Sequence, residues 1–206
     1  MSGSTSRSPT PKGQSTHDRI VGAAGELIYR YGLSGTTWEN VRAASSTSGA
    51  EISRHFRSRR ELVREVLVAR RSEILAFHTD EGLGSFNTIE AFRAWADACI
   101  ASLESMDNIG GCVYGSLVGE LLPTPDAPLR AMIANGYDAW ISIFRSGLSA
   151  MYDRGQLRED ADPLHLATAL VCAHQGSALL SQTLGTYGPM RIALEAAVAY
   201  LYSFFT

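Results

Sequence analysis

Four arginines lie close together in the first third of the chain: Arg54, Arg57, Arg59 and Arg60. A guanidinium group presents its donors in a fixed planar fork, which suits contacts to phosphate oxygens. Directly before this cluster, residues 36–44 and 48–55 have the length and spacing of two short helices, and residues 45–48 form a polar turn. Two short helices joined by a tight turn place the second helix in a DNA major groove. The pattern predicts a DNA contact.

Residues 48–55 are the predicted recognition helix. Short side chains at Ser48, Gly49 and Ala50 would let its N-terminus approach a phosphate closely. Glu51 is interpreted either as an acceptor for a cytosine amino group or as a solvated charge. Arg54 is expected to reach a guanine edge or a phosphate.

The residues around this helix also follow a known family pattern. The matching positions are Ile20, Ala23, Ala24, Leu27, Tyr31, Gly32, Thr36, Thr37, Val41, Ala44, His55, Phe56, Ser58, Arg59 and Leu62. On these positions, the stretch from about Thr16 to Ala69 resembles the N-terminal DNA-binding domain of TetR-family transcriptional regulators. The chain departs from that pattern at residues 45–47, where the family usually has Ala-Gly-Val. It also departs at Ser53, where an aromatic is usual, and at Arg59, where Lys is usual.

The resemblance implies a homodimeric, all-helical, ligand-responsive transcription factor that binds double-stranded operator DNA, most often as a repressor. Within it, Phe56 is expected to pack in the core, and His55 is expected near the DNA backbone. Arg59, at the start of the next helix, is expected at a phosphate, with a solvated charge as the alternative. The positions predicted to contact DNA are Thr36, Thr37, Arg42, Thr47, Ser48, Gly49, Ala50, Glu51, Ser53, Arg54, His55 and Arg59.

The charge of the chain is divided unevenly along its length. The net charge is -3, but residues 1–81 hold 12 Lys and Arg against 9 Asp and Glu, whereas residues 82–206 hold 6 against 12. A basic first part on an acidic remainder fits a DNA-binding head on a body that avoids DNA. Three widely spaced cysteines, no signal-like segment and no long apolar run predict a cytoplasmic protein with no membrane span.

Helical periodicity follows a tail rich in Ser, Thr, Pro and Gly. The predicted fold is all-α, with about nine helices: a three-helix helix-turn-helix domain joined by a long fourth helix to a helical ligand-binding and dimerisation domain. Expected boundaries are a disordered tail at 1–15, the DNA-binding domain at 16–81 and the body at 82–206. Thr16 is expected to cap the first helix, Gly32 to end it, and Trp38 to face inward. Later helices are expected to be capped by Thr36 or Thr37, Ser48, Ser58, Asp126 and Asp162.

The body is predicted to hold an apolar cavity with a few polar groups, typical of a small-ligand site. The candidate lining residues are Trp95, Cys99, Tyr114, Trp140, Phe144, Met151, Cys172, His174, Gln175 and Leu179. An ordinary core or an interface is an equally good interpretation of these positions. The run at residues 110–117, with the later Trp140 and Gly155, resembles the ligand-sensing domain of LmrA-type regulators. That resemblance implies a small hydrophobic effector.

Catalysis is not expected. Cys172 and His174 point to different faces of one helix, and no third residue completes a catalytic group. No cofactor and no metal are predicted. Many Ala and Gly residues in the last two predicted helices permit close helix packing and favour a homodimer. The alternative function is a helical interaction or ligand-sensing module that has lost sequence-specific DNA binding.

Overall fold

The computed structural model describes residues 11–105, 111–123 and 125–206, and side chains from residue 15 onward. These residues form nine helices and no strand, which confirms the predicted all-α fold. Contacts divide the chain into two compact units, Met1–Ala69 and Arg70–Thr206. The division lies inside the fourth helix, not after it as predicted for residues 81 and 82.

The first unit contains three complete helices and most of a fourth. They are α1 (Pro11–Gly35), α2 (Trp38–Ser45), α3 (Gly49–His55) and α4 (Arg59–His78), which continues into the second unit. Thr37, Ser48 and Ser58 accept hydrogen bonds from the first turns of α2, α3 and α4, as predicted. The buried core includes Ile20, Ala24, Ile28, Val41, Ile52, Phe56, Leu62 and Val66.

The first helix differs from its predicted bounds. It begins at Pro11, so Thr16 lies inside the helix and does not cap it, and residues 11–15 are helical. Proline suits a first helical position because its missing N–H has no partner there in any helix. Residues 1–10 of the predicted tail lie outside the described residues. Near the other end, Gly32 has φ 73° and ψ 174° and kinks the helix where its end is predicted.

The tight turn between α2 and α3 is closed by two buried hydroxyl groups. Ser45 Oγ donates to the Val41 carbonyl at 2.7 Å, and it lies 2.7 Å from Thr47 Oγ1. Between them Ser46 adopts a left-handed conformation, with φ 53° and ψ 44°. This is the conformation for which glycine has no steric cost. The polar sequence therefore forms a tight turn with its own internal hydrogen bond.

The second unit contains the end of α4 and five further helices. They are α5 (Ile89–Glu104), α6 (Val113–Leu121), α7 (Ala127–Asp153), α8 (Pro163–Leu184) and α9 (Gly188–Tyr202). Asp126 and Asp162 cap α7 and α8 as predicted, and a proline lies in the first turn of each. α8 packs between α7 and α9, and α5 packs on α9. Among the described residues, no helix is both long and apolar enough to cross a bilayer.

An aromatic core holds the second unit together. Phe86, Phe92, Trp95 and Phe144 are fully buried, and their rings meet in edge or tilted contacts at centroid distances of 4.8–5.7 Å. Such geometries suit the ring quadrupoles. At Gly147 the backbone of Phe86 passes so close to α7 that an added Cβ would collide with it. The glycine therefore permits this packing.

Candidate DNA-binding surface and effector cavity

The recognition helix α3 is fixed at its start by a reciprocal cap. Ser48 Oγ accepts from the Glu51 N–H at 3.2 Å, and Glu51 Oε2 accepts from the Ser48 N–H and hydroxyl, each at 2.8 Å. These two hydrogen bonds from Ser48 hold the pKa of Glu51 below its usual value. The carboxylate is thus engaged with its own helix. Its two predicted roles, cytosine acceptor and solvated charge, stay predictions, because a carboxylate that caps its own helix keeps further acceptor capacity.

Most of the predicted DNA-contact positions are exposed. Arg42, Ser48, Gly49, Ala50, Ser53, Arg54 and Arg59 are exposed, as is Thr37, and His55 is partly exposed. Arg57 and Arg60 add to the exposed basic cluster. A shallow groove runs beside α3, and its lining includes Trp38, Arg42, Gly49, Ser53, Arg57 and Ser58.

Three predictions about this unit are wrong. Thr36 is buried, and its hydroxyl donates to the Gly32 carbonyl at 2.8 Å, so it fixes the kink of α1 and cannot reach DNA. Thr47 is buried because its hydroxyl is hydrogen-bonded to Ser45 inside the turn between α2 and α3. Trp38 was expected to face inward, but its exposed fraction is 41%. As the first residue of α2, it lies on the groove, not in the core.

The second unit contains a cavity of about 240 Å³ beside the end of α4. Its lining residues are Glu73, Ile74, Phe77, His78, Cys99, Ser102, Leu103, Gly111, Cys112, Val113, Trp140, His174 and Met190. The lining is mainly apolar, with a few polar side chains, as in small-ligand sites. Three of the predicted lining residues are present: Cys99, Trp140 and His174.

The histidine at the end of α4 is fully hydrogen-bonded. His78 Nε2 accepts from the Trp95 indole N–H at 2.9 Å, because an indole nitrogen can only donate. Its proton is therefore on Nδ1, which donates to the Ile74 carbonyl at 2.8 Å. Burial lowers the pKa of His78 to about 4, although the bond to Ile74 opposes that shift. His78 is neutral at pH 7 and ties the end of α4 to α5.

Two other polar side chains of the lining have nitrogens without a partner. Trp140 is 1% exposed, and its Nε1 makes no hydrogen bond within the described protein. The same holds for the buried Nδ1 of His174. The two rings are neighbours, with centroids 5.1 Å apart at an angle of 76°. Burial and the nearby His78 lower the pKa of His174 to about 3, so this histidine is also neutral at pH 7.

Cys112 is also a lining residue of the cavity. It caps α6, accepting from the Gly115 N–H at 3.5 Å and from Gln175 Nε2 at 3.3 Å. Gln175 is therefore not a lining residue itself, but it contacts the lining residue Cys112 through a hydrogen bond. His78, Cys112 and Met190 are lining residues that the sequence did not predict. The i, i+3, i+4 spacing of Ile74, Phe77 and His78 was the available signal for the face of α4.

The other predicted lining residues lie elsewhere. Trp95, Phe144 and Met151 are buried in the core, because their positions on α5 and α7 face other helices. Tyr114 is buried and donates to the Ile133 carbonyl at 3.1 Å, and burial raises its pKa to about 12. Cys172 and Leu179 are exposed on the outer face of α8.

Large apolar side chains are exposed near the end of α8 and on α9. Leu179 is 64% exposed and Ile192 is 70% exposed. Leu180 and Leu184 are also exposed, and the small side chains of Ala196 and Ala199 lie among the exposed positions of α9. Exposed large apolar side chains of this number make these two helices a candidate interaction surface.

Comparison with known proteins identifies the family. The profile described as "Bacterial regulatory proteins, tetR family" matches residues 20–66. The profile described as "Tetracyclin repressor-like, C-terminal domain" matches residues 88–197, more than half of the chain. The chain belongs to the TetR family. It is a DNA-binding transcriptional regulator, and not an enzyme, because the family consists of regulators.

Several solved structures share this fold. A TetR transcriptional regulator from Chloroflexus aurantiacus J-10-FL has a TM-score of 0.82 and 24% identity, covering 95% of this chain and 98% of that one. The regulatory protein TetR from Rhodobacter sphaeroides has a TM-score of 0.79 and 18% identity, covering 89% and 97%. Reduced E. coli NemR has a TM-score of 0.75 and 16% identity, covering 93% and 97%. No curated protein sequence matches the chain, and the narrower LmrA-type resemblance is not confirmed.

Proposed function

We propose that this TetR-family regulator is a homodimeric repressor that a small hydrophobic effector releases from operator DNA. The observation that carries the proposal is the continuity of α4. Its first residue, Arg59, belongs to the DNA-binding unit, and Ile74, Phe77 and His78 in its last turns line the cavity. The helix has 20 residues, so it is about 30 Å long. A rod of this length converts a small displacement at the cavity into a movement at Arg59.

The proposed DNA contacts are the exposed or partly exposed members of the predicted set. They are Thr37, Arg42, Ser48, Gly49, Ala50, Glu51, Ser53, Arg54, His55 and Arg59. Arg59 is proposed to bind a phosphate, a contact that releases counterions and carries no sequence preference.

The DNA contact is tested with labelled duplexes from the region upstream of the chain's own gene. Arg59→Ala should weaken all sequences alike and lower the slope of log affinity against log salt by about one per half-site. Arg145→Ala is the matched control, because Arg145 is an exposed cation on α7 of the other unit. An unchanged slope in the Arg59 variant would refute the phosphate contact. Absence of binding at low salt would favour the interaction-module alternative.

Release by effector is tested through reciprocity. An effector that weakens DNA binding by some factor must itself bind more weakly to the DNA complex by the same factor. A hydrophobic compound shown to occupy the cavity is titrated with and without operator DNA. Equal affinities in both titrations would exclude the mechanism.

The proposed dimer uses the outer face of α8 and α9. A homodimer supplies the two recognition helices that successive half-sites, about 34–36 Å apart, require. Leu179→Asp should give monomers in sedimentation of the full chain at micromolar concentration. Leu122→Asp is the control, because Leu122 is 48% exposed next to α6, outside α8 and α9. Dimers in both variants would place the interface elsewhere.

A further inference from the structure

We infer that the effector is a compact, uncharged molecule with about one ring and with an oxygen that accepts the indole N–H of Trp140. This inference rests on the proposed function, in which the cavity binds the effector. It adds the size, the charge and the polar group of the ligand. Each of these follows from a separate property of the lining.

The size follows from the volume. A cavity of roughly 150 Å³ lined by apolar side chains accommodates benzene. The present cavity, of about 240 Å³, therefore has room for one ring with a short substituent. Because the cavity is partly open to solvent, a larger polycyclic ligand would extend out of it and bury less of its surface. Apolar surface from Ile74, Phe77 and Leu103 suits the hydrocarbon part of the ligand.

The charge follows from the ionisable groups around the cavity. Among the described lining residues there is no Lys or Arg, and His78 and His174 are neutral at pH 7. The only formal charge of the lining is that of Glu73, whose carboxylate is 55% exposed and is paired with Arg70 at 2.8 Å. A carboxylate ligand would lose its hydration without gaining a cation, which is costly.

The polar group follows from the two unpartnered nitrogens. A buried donor without an acceptor costs free energy, and native proteins seldom leave one unsatisfied. Trp140 Nε1 can only donate, whereas His174 Nδ1 donates or accepts according to its tautomer. A carbonyl oxygen satisfies both groups when His174 is protonated on Nδ1. A hydroxyl satisfies both when it is not, because it accepts from Trp140 and donates to His174. The shared chemistry is an uncharged oxygen beside the ring of Trp140; because both nitrogens are buried, the oxygen reaches them only after the two rings shift.

The test compares four probes of matched size in the absence of DNA: acetophenone, 1-phenylethanol, ethylbenzene and benzoate. Calorimetric titration of the full chain should show at least one of the two oxygenated neutral probes binding tenfold or more tighter than ethylbenzene. Benzoate should bind at least tenfold more weakly than the better oxygenated probe. Which oxygenated probe binds tighter reports the tautomer of His174. Equal affinity for the hydrocarbon, preference for benzoate, or no binding of any probe at millimolar concentration would overturn the inference.

Trp140→Phe removes the donor and retains an aromatic ring. It should reduce the preference for the better oxygenated probe over ethylbenzene to threefold or less. Because Trp140 is fully buried, a second measurement avoids substitution. In ¹⁵N-tryptophan-labelled protein, the oxygenated probe should shift the Trp140 indole N–H signal and slow its exchange. The signals of exposed Trp38 and of Trp95, already bonded to His78, serve as internal controls. An unmoved Trp140 signal on a saturating probe would refute the contact.

These measurements separate the ligand class from the proposed function. If the probes bind with the expected preference but do not release operator DNA, the ligand class stands and the coupling fails. If a charged or purely hydrocarbon compound releases the DNA from this cavity, the coupling stands and the ligand class is wrong.

Discussion

The two buried hydroxyls of the turn between α2 and α3 lead to a prediction about stability. Removing both hydroxyls should destabilise the protein less than removing the Ser45 hydroxyl alone. Ser45 has one hydroxyl proton, and it is donated to the Val41 carbonyl at 2.7 Å. In the 2.7 Å contact between Ser45 and Thr47, the donor must therefore be Thr47. Removing the Ser45 hydroxyl therefore leaves the Thr47 hydroxyl without an acceptor, whereas removing the Thr47 hydroxyl leaves the Ser45 bond to Val41 in place.

The expected magnitudes follow from this donor order. Ser45→Ala leaves the buried Thr47 hydroxyl, 7% exposed as a residue, without its acceptor, at a cost of about 1–3 kcal/mol. Thr47→Val removes one bond but leaves Ser45 donating to Val41, so the cost is about 0.5–1 kcal/mol. The double variant removes both polar groups and should lie within about 0.5 kcal/mol of wild type, because replacing both partners by apolar groups is nearly neutral.

Amide hydrogen exchange over residues 41–56 measures the free energy of opening of this region in the intact protein. Ser34→Ala removes an exposed hydroxyl in the same unit and should change that free energy by less than about 0.5 kcal/mol. Destabilisation of the double variant by the sum of the two single effects would refute the donor order. So would a Thr47→Val variant that is clearly worse than Ser45→Ala.

Three further predictions concern other sites. Ser53→Tyr should tighten DNA binding roughly two- to tenfold without changing sequence preference, as measured by anisotropy, because an exposed phenol adds one backbone contact; weaker binding would show that α3 docks differently. The pKa of His78 is about 4 in the folded protein and about 6.5 in the unfolded chain, so below pH 6.5 the unfolded chain binds a proton that the folded protein does not. The free energy of unfolding should therefore be at its full value above pH 6.5 and fall by about 3 kcal/mol as the pH is lowered towards 4. Urea unfolding across that range should show a smaller pH dependence in His78→Gln, and an identical dependence would contradict the assignment. Gly147→Ala should cost about 1–3 kcal/mol or more because its Cβ meets the Phe86 backbone, whereas Gly119→Ala, with open space around it, should be neutral or stabilising in the same unfolding assay.

The elements that the sequence predicted best are those whose ends carry local signals. Asp126 and Asp162 each precede a proline by one or two residues, and both cap helices as expected. Such signals act over three or four residues and do not depend on tertiary contacts. The same kind of signal failed at α1, because Thr16 is a residue type that caps helices but the helix begins at Pro11 and Thr16 lies inside it. The division inside α4 also escaped prediction, because nothing in a continuous amphipathic helix marks where its neighbours change.

Site residues were predicted less well, for a physical reason. Residue type shows whether a side chain is apolar, but it does not show which neighbour covers it. Trp95 and Trp140 have the same chemistry and similar helical positions, yet only Trp140 lines the cavity. The two tryptophans differ because His78, on α4, accepts the indole N–H of Trp95 and holds that ring in the core. Thr36 and Thr47 were likewise polar residues next to a DNA-binding motif, but local hydrogen bonds inside the chain hold both of them in the core.

The contacts of His78 also limit how an effector can act on α4. The imidazole joins the Ile74 carbonyl, on α4 itself, to Trp95 on α5. Separating α4 from α5 would leave the indole N–H of a fully buried tryptophan without an acceptor, at a cost of about 1–3 kcal/mol. If the proposed effector binds beside His78, a movement of α4 that keeps the bond to Trp95 is less costly than one that breaks it. We therefore expect the end of α4 to pivot about His78, with Ile74 and Phe77 displaced by the ligand while the bond to Trp95 persists.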